Sequence, residues 1–281
     1  MTIGGYRVHA VETGRFGLDG GAMFGVVPKV LWERSDPADQ RNRIDMAARA
    51  LLLVGNGRVI LVDTGNGDKM PEKLREIYKI GTDGSTLLSS LEVLGVRPGD
   101  VTDVILTHLH FDHAGGATLR EGGRLSPAFP NARYYVQREH WEAALSPTER
   151  DQASFFRDDF LPLYEQGVLH FTDGDGEILP GVSVEVFYGH TTALQCPVIS
   201  DDINTLIYCA DLVPLSAHVQ LPWIMAYDLR PLVTLEEKRR TLARAAAERW
   251  VLFFEHDPRV AAARIAHGEK GYMVQERVVL D

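Results

Sequence analysis

The chain has 281 residues, enough for one large domain or two small ones and for a full buried core. Hydrophobic residues make up 45% and charged residues 24%, which excludes the disordered and fibrous classes. Lys plus Arg number 29 against 39 Asp plus Glu, a net charge of -10, and a surface of that sign repels a phosphate backbone, so no nucleic-acid partner is expected. The two cysteines, Cys196 and Cys209, form no close-spaced pair, so neither a disulfide framework nor a zinc ribbon is expected and a reducing cytoplasm fits best. The first residues lack a basic stretch followed by an apolar one, and no apolar run approaches the roughly 18 residues of a membrane span. No export signal and no membrane partner are expected.

Residues 47–64 hold two β-rich runs separated by Gly55-Asn56-Gly57, which predicts a hairpin whose second strand ends at Asp63-Thr64-Gly65. Helical spacing follows from Pro71 to Tyr78 and from Thr86 to Leu94, stopped by Gly95. Val104-Ile105-Leu106 is a short apolar strand running into Thr107-His108-Leu109-His110-Phe111-Asp112-His113, which places that cluster on a loop at a strand's end. Arg133 to Val136 reads as a strand, Glu139 to Leu145 as a helix, and Ser154 to Gln166 as a helix interrupted at Pro162. Val182 to Phe187 alternates strictly and leads to Gly189-His190, and Leu206 to Ala210 leads to Asp211. Leu235 to Arg249 reads as a charged, Ala-rich helix, and Val251 to Phe254 as a buried strand leading to Glu255-His256-Asp257. No linker or repeat interrupts the pattern, so residues 1–281 are expected to form one domain of two strand-rich halves with helices outside.

The string His108-x-His110-x-Asp112-His113 carries the chemistry. In an extended loop alternate residues point the same way, so His108 and His110 can share one ion while Asp112 and His113 turn toward a second. Two ions need more than four ligands, and His190, Asp211 and His256 are the obvious suppliers, because each follows a β-type run. Imidazoles with a shared carboxylate suit two divalent transition-metal ions, zinc foremost, with iron, cobalt or manganese as alternatives. Water held between two such ions becomes a nucleophile near neutral pH, and Asp112 can both ligate and steer it.

In these motifs the sequence resembles the metallo-β-lactamase superfamily, whose pattern is His-x-His-x-Asp-His, then Gly-His, a strand-ending Asp and a last His. Within it the chain is most similar to quorum-quenching lactonases of the YtnP type, through Asp19 to Lys29 with Trp32, Thr107 to Gly115, Ala210 to His218, and Ala226-Tyr227-Asp228. The resemblance implies an α/β fold, an αββα sandwich of two mixed sheets with helices on the outer faces. It also implies His108, His110 and His190 on one ion, Asp112, His113 and His256 on the other, and Asp211 bridging. Two positions depart from the pattern. Thr191 to Gln195 lacks the second His of Gly-His-Thr-x-Gly-His, and Pro214 stands where some lactone hydrolases carry a carbonyl-polarising Tyr.

Asp63 is expected to hydrogen-bond the free nitrogen of a ligand histidine, with a turn-capping role as the plainer alternative. Met23, Phe24, Trp32, Trp223 and Tyr227 are candidates for an apolar wall against an acyl chain, and His218 for a residue facing the pocket. The segment from Gly20 to Trp32 is expected to fold over the metal centre. His9, His140, His170 and His267 stand alone; none is expected to be a ligand, and removing His140 is expected to leave metal content unchanged. Gly115-Gly116 is expected to let backbone pass close to the metals.

The function expected is metal-dependent opening of an N-acyl-homoserine lactone or related lactone, a small-molecule ester substrate. Phosphotriester hydrolysis comes second and thioester hydrolysis of the glyoxalase II kind third, with a metal-bound sensor as the non-enzymatic alternative. A homodimer is left open.

Overall fold

The computed structural model describes residues 1–81 and 84–280. Its strands are β1 Thr2–Ile3, β2 Tyr6–Asp19, β3 Arg43–Gly55, β4 Arg58–Val62, β5 Asp103–Ile105, β6 Thr118–Glu121, β7 Arg124–Pro127, β8 Arg133–Gln137 and β9 Leu169–Thr172 in the first half. The second half adds β10 Gly176–Leu179, β11 Val182–Phe187, β12 Leu194–Ser200, β13 Thr205–Tyr208, β14 Val251–Phe253, β15 Ala262–Gly268 and β16 Gly271–Arg277. The helices are α1 Gly20–Phe24, α2 Lys29–Trp32, α3 Glu72–Ile77, α4 Leu87–Val93, α5 Phe111–Ala114, α6 Arg138–Leu145, α7 Arg157–Glu165 and α8 Pro231–Ala247.

Two seven-stranded mixed sheets form, in the orders β1-β2-β3-β4-β5-β8-β9 and β10 through β16 in sequence. Strand periodicity decides how they stack, because successive side chains point to opposite faces. In the first sheet Leu51, Leu53, Ile60, Val62 and Ile105 face Leu194, Leu206, Tyr208 and Phe253 of the second, in one core between the sheets. The alternate residues Ala50, Leu52, Leu61 and Val104 face outward, onto Leu87 and Leu91 of α4, Trp141 of α6, and Phe160 and Leu163 of α7. Leu242 and Ala245 of α8 cover the second sheet in the same way. The result is the helix, sheet, sheet, helix layering that the motifs imply.

Strand direction then sets the position of the site. The pairs β4 with β5 and β13 with β14 are parallel. Strand β11 runs the same way as β13, being two antiparallel steps from it. The residues that follow β4, β5, β11, β13 and β14 therefore emerge along one edge of the sandwich: Asp63, the histidine cluster, His190, Asp211 and His256.

Three local features differ from expectation. The longest strand, β2, was hidden in the sequence because a register shift between Glu12 and Gly14 breaks its alternation against β3. Pro162 does not interrupt α7. The ring removes the N–H that would bond the carbonyl of Asp158, and Thr118 Oγ1 donates to that carbonyl instead at 2.7 Å. Asp112 and His113 lie on the short helix α5 rather than on extended chain, so the turn of a helix, not strand alternation, separates them from His110.

Candidate metal centre

The seven candidate ligands come together in two buried groups, His108, His110, His190 and Asp211 on one side and Asp112, His113 and His256 on the other. Asp211 faces both. Its Oδ2 lies 3.0 Å from His190 Nε2 and 3.7 Å from His108 Nε2, while its Oδ1 lies 3.2 Å from His256 Nε2. Asp112 Oδ2 sits 3.8 Å from His113 Nε2 and 3.7 Å from His256 Nε2.

Four of the five candidate imidazoles are oriented by their other nitrogen. His190 Nδ1 is 2.9 Å from Asp228 Oδ1, His256 Nδ1 is 2.9 Å from the Ala47 carbonyl, and His108 Nδ1 is 3.1 Å from Thr107 Oγ1. His113 Nδ1 meets Asp63 Oδ2 at 3.0 Å, and Thr107 donates its N–H and its hydroxyl to the same carboxylate at 2.7 and 2.6 Å. Glu255 Oε2 lies 2.9 Å from that His113 nitrogen, whose single proton is already directed at Asp63. Burial pushes the Glu255 carboxyl up to about 7, partly offset by His113. His110 is turned the other way, with Nδ1 3.0 Å from His108 Nε2 and 3.3 Å from His190 Nε2.

This geometry fits metal ions. With Nδ1 of His113, His190 and His256 donating to acceptor-only oxygens, their Nε2 atoms present lone pairs, and two such lone pairs face each other at 3.2 Å between His113 and His256. His110 Nε2 and Asp211 Oδ1 are buried with no hydrogen-bond partner among the described residues. Lone pairs and carboxylates this close repel unless a cation lies among them. The acid–base balance draws positive charge to the same place, supplied by a second proton on His190 and His256 when no metal is bound. Burial alone would lower His190 and His256, yet the charge of Asp211, with Asp228 at His190 and Glu255 at His256, raises them to about 10 and 9. Burial alone would raise Asp211, yet His190 and His113 hold its carboxyl well below the usual range. His108 and His110 are driven down by burial and by the neighbouring imidazoles. The donor set of imidazole nitrogen and carboxylate oxygen suits a divalent transition metal.

The backbone around the centre is shaped for close approach. Asp63 and Ala210 both adopt φ in the left-handed region, at 57° and 42°, a strain of about 1 kcal/mol or more each that is held by the surrounding hydrogen bonds. A Cβ on Gly189 would lie 2.3 Å from Thr234 Oγ1, so only glycine lets α8 abut the His190 loop, where Glu237 of α8 accepts the N–H of Tyr188 and Gly189. Gly115 and Gly116 admit the carbonyls of Asn66 and Thr64, which a Cβ would meet at 2.2 and 2.3 Å. The close neighbours there are the 64–66 backbone and, for Gly115, the Phe111 carbonyl at 2.4 Å.

A cleft of about 300 Å³ opens over His110, Asp112, His190, Asp211 and His256. Of the expected pocket residues, Met23 and Tyr227 line it. Phe24, Trp32, His218 and Trp223 lie behind its wall. Phe24 and Trp32 are buried core, with Phe24 stacked on Trp32 at 5.1 Å and on His218 at 5.0 Å and set edge-on to Trp223 at 5.4 Å. His218 Nε2 holds the Met23 carbonyl at 2.8 Å. An apolar run is thus the packing base of the Gly20-to-Trp32 segment, and only part of it reaches the cleft. Tyr78, Phe111, Arg150 and Met225 are among the wall residues that were not expected there.

Three residues beside the candidate ligands were also missed: Asp228, which pairs with His190, Glu255, which lies against His113, and His140. His140 is fully buried, with Nε2 accepting the Leu109 N–H at 2.8 Å and Nδ1 2.7 Å from the Thr192 carbonyl. For Glu255 the adjacency to His256 was a signal; for Asp228 and His140 no spacing rule connects them to their partners.

The sequence profile of the metallo-beta-lactamase superfamily matches residues 44–256. The chain belongs to that superfamily and is a hydrolase of it. An N-acyl homoserine lactonase of Bacillus thuringiensis is 28% identical over 214 residues, covering 70% of this chain and 76% of that one. A probable metal-dependent hydrolase from Staphylococcus aureus superposes with a TM-score of 0.89 at 28% identity, covering 99% of this chain and all of that one. A structure of an N-acyl homoserine lactone hydrolase, with the product N-hexanoyl-L-homoserine bound at its catalytic metal centre, superposes with a TM-score of 0.69 at 25% identity over 92% of this chain and 95% of that one.

Proposed function

We propose that this superfamily hydrolase opens the ring of N-acyl-homoserine lactones, using two divalent ions, zinc foremost. The observation that carries the reading is Asp211, whose two oxygens face the two ligand groups at 3.0 and 3.2 Å on the floor of a cleft with apolar walls. The lactonase relative and the product-bound neighbour supply the substrate class. His108, His110 and His190 would hold one ion, Asp112, His113 and His256 the other, with Asp211 shared. Bound there, such ions lower the pKa of water to about 7 and polarise a carbonyl oxygen.

The chain supplies the rest. The Asp112 carboxylate, at the cleft surface, takes the proton of the attacking water as oxygen bonds to the carbonyl carbon, and returns it to the ring oxygen as the ring C–O bond breaks. Pro214 offers no donor, but the hydroxyls of Tyr78 and Tyr227 belong to side chains lining the same cleft, and Tyr227 is the donor assigned to the substrate carbonyl. Burial raises both phenols, with the charge of Asp112 adding to it, so both stay protonated and able to donate. Leu18, Met23, Met46 and Met225 give the acyl chain an apolar wall. The whole chain, 1–281, acts as one unit in this reading, since the ligands leave both sheets. A reducing cytoplasm suits the two buried free thiols, Cys196 and Cys209; among the described residues no helix is long and apolar enough to cross a membrane.

The deciding experiment compares kcat/KM of the metal-loaded protein on N-acyl-homoserine lactones, paraoxon-type triesters and thioesters. The lactones are expected to lead. A larger value for a triester or thioester would replace the substrate assignment, and no turnover of any class would leave a metal-bound sensor.

A further inference from the structure

Metal ligands arrive on separate loops, and the spacing between those loops fixes the spacing of the donors. Leu109 lies between His108 and His110, and Thr192 lies just past His190. Both are bonded to one side chain, His140, in the first turn of α6. The Leu109 N–H donates to His140 Nε2 at 2.8 Å, so that nitrogen carries a lone pair, and the ring proton sits on Nδ1, which donates to the Thr192 carbonyl at 2.7 Å. Both nitrogens are occupied, which bars His140 from ligating an ion itself. The imidazole is fully buried, packed edge-on to His108 with ring centroids 6.0 Å apart.

We propose that His140 is a positioning residue for the metal centre: one neutral imidazole, fixed as a single tautomer, ties the loop of His108 and His110 to the loop of His190 and so sets three donors around one ion. The second ligand group, Asp112, His113 and His256, lies outside this tie. A backbone link elsewhere, from Gln195 N–H to the Thr107 carbonyl at 3.0 Å, joins the same segments behind the site but does not reach the residue between the two histidines. Without His140 the buried Leu109 N–H loses its acceptor, and turning it toward another acceptor turns the flanking histidines with it. Removing His140 therefore changes metal binding, contrary to what its isolation in the sequence implies.

The inference rests on the two-ion reading of the site, and the test separates the two. Chelator-treated protein is titrated with cobalt(II), followed by its visible absorption, for the parent, His140→Asn and His140→Gln. The Asn amide nitrogen can still reach Thr192 but leaves Leu109 bare, whereas the longer Gln amide offers an acceptor and a donor side by side. The expected result is a loss of about tenfold or more in affinity for one of two cobalt ions in His140→Asn, with an altered spectrum, and recovery to within about threefold in His140→Gln. Melting temperatures of the metal-free proteins should agree within a few degrees. Parental cobalt affinity in His140→Asn, equal losses in the Asn and Gln variants, equal weakening of both ions, or failure of both variants to fold would overturn the positioning role. A parent that takes up no cobalt would instead bring down the two-ion reading itself.

Discussion

His190 Nδ1 lies 2.9 Å from Asp228 Oδ1, both side chains buried, and the same imidazole's Nε2 lies 3.0 Å from Asp211 Oδ2. A carboxylate only accepts, so Asp228 keeps the ring proton on Nδ1 and aims a lone pair at Asp211. In the metal-free protein a second proton, held by the charges of Asp211 and Asp228, occupies that place; with an ion bound the lone pair would ligate it, and Asp228 would act on the site without touching the ion. Orienting carboxylates of this kind are worth about 10–100-fold in metal affinity. Asp228→Ala is expected to lose affinity within that range in a competition with a chelator. Asp228→Asn, which keeps an acceptor oxygen, should lose much less. Equal retention of metal by both variants would show that His190 needs no such partner.

Asp211→Ala should lose metal from both ligand groups, because its carboxylate faces both, with His190 at 3.0 Å in one and His256 at 3.2 Å and His113 at 3.5 Å in the other. Elemental analysis of protein purified without chelator should give about two ions per chain for the parent and for His170→Ala, whose side chain is exposed on the edge strand β9. Full metal and full activity in Asp211→Ala would remove it from the shared position.

What was legible in the sequence follows from the range over which each interaction acts. The hairpin around Gly55-Asn56-Gly57 and the strands ending at Asp63, His190, Asp211 and His256 depend on local alternation and turn chemistry, so they could be read directly. The clustering of the seven candidate ligands could be anticipated because strands deliver them to loops at their ends, and parallel strands share an edge. Strand β2 could not, since its pairing with β3 is long-range and its bulge hides the period. Nor could His140 or Asp228, which meet Leu109 and His190 only after both sheets have stacked. Aromatic content was legible without its destination: Phe24 and Tyr227 look alike as pocket candidates, and only packing places one in the core and the other on the cleft.

His218 gives the stability a defined pH dependence. Burial, reinforced by Lys238, pulls its pKa down to about 3, whereas an unfolded imidazole titrates near 6.5. Between those values the unfolded chain binds a proton that the folded chain refuses, so stability falls as pH falls through that window and is unaffected above it. Burial pulls His140 down to about 4, with the same sign. From pH 6.5 to pH 5 each such group should remove roughly 1.5 kcal/mol, screening discounted because both are fully buried. Urea unfolding of chelator-treated protein at the two pH values measures the drop. His218→Gln, whose amide can still donate to the Met23 carbonyl, should show a drop smaller by about that amount. Identical drops in variant and parent would mean that His218 takes up its proton in the folded state.

The last prediction separates the two aromatic residues that the sequence alone could not tell apart. Phe24 is completely buried among Trp32, His218 and Trp223, so Phe24→Ala should act as a cavity mutation, costing about 3–5 kcal/mol of stability by denaturant unfolding. Turnover of short-chain and long-chain lactones should suffer equally, because the side chain does not reach the cleft. Tyr227 is 39% exposed on the cleft wall, so Tyr227→Phe removes one hydroxyl and leaves the ring in place. If that hydroxyl donates to the carbonyl as negative charge develops on it, kcat should fall by about tenfold to a hundredfold while KM changes little, since the bond strengthens in the transition state rather than in the bound substrate. Unchanged kcat in Tyr227→Phe would pass the role to Tyr78, the other phenol on the wall. A loss confined to long-chain substrates in Phe24→Ala would put that ring on the acyl path after all.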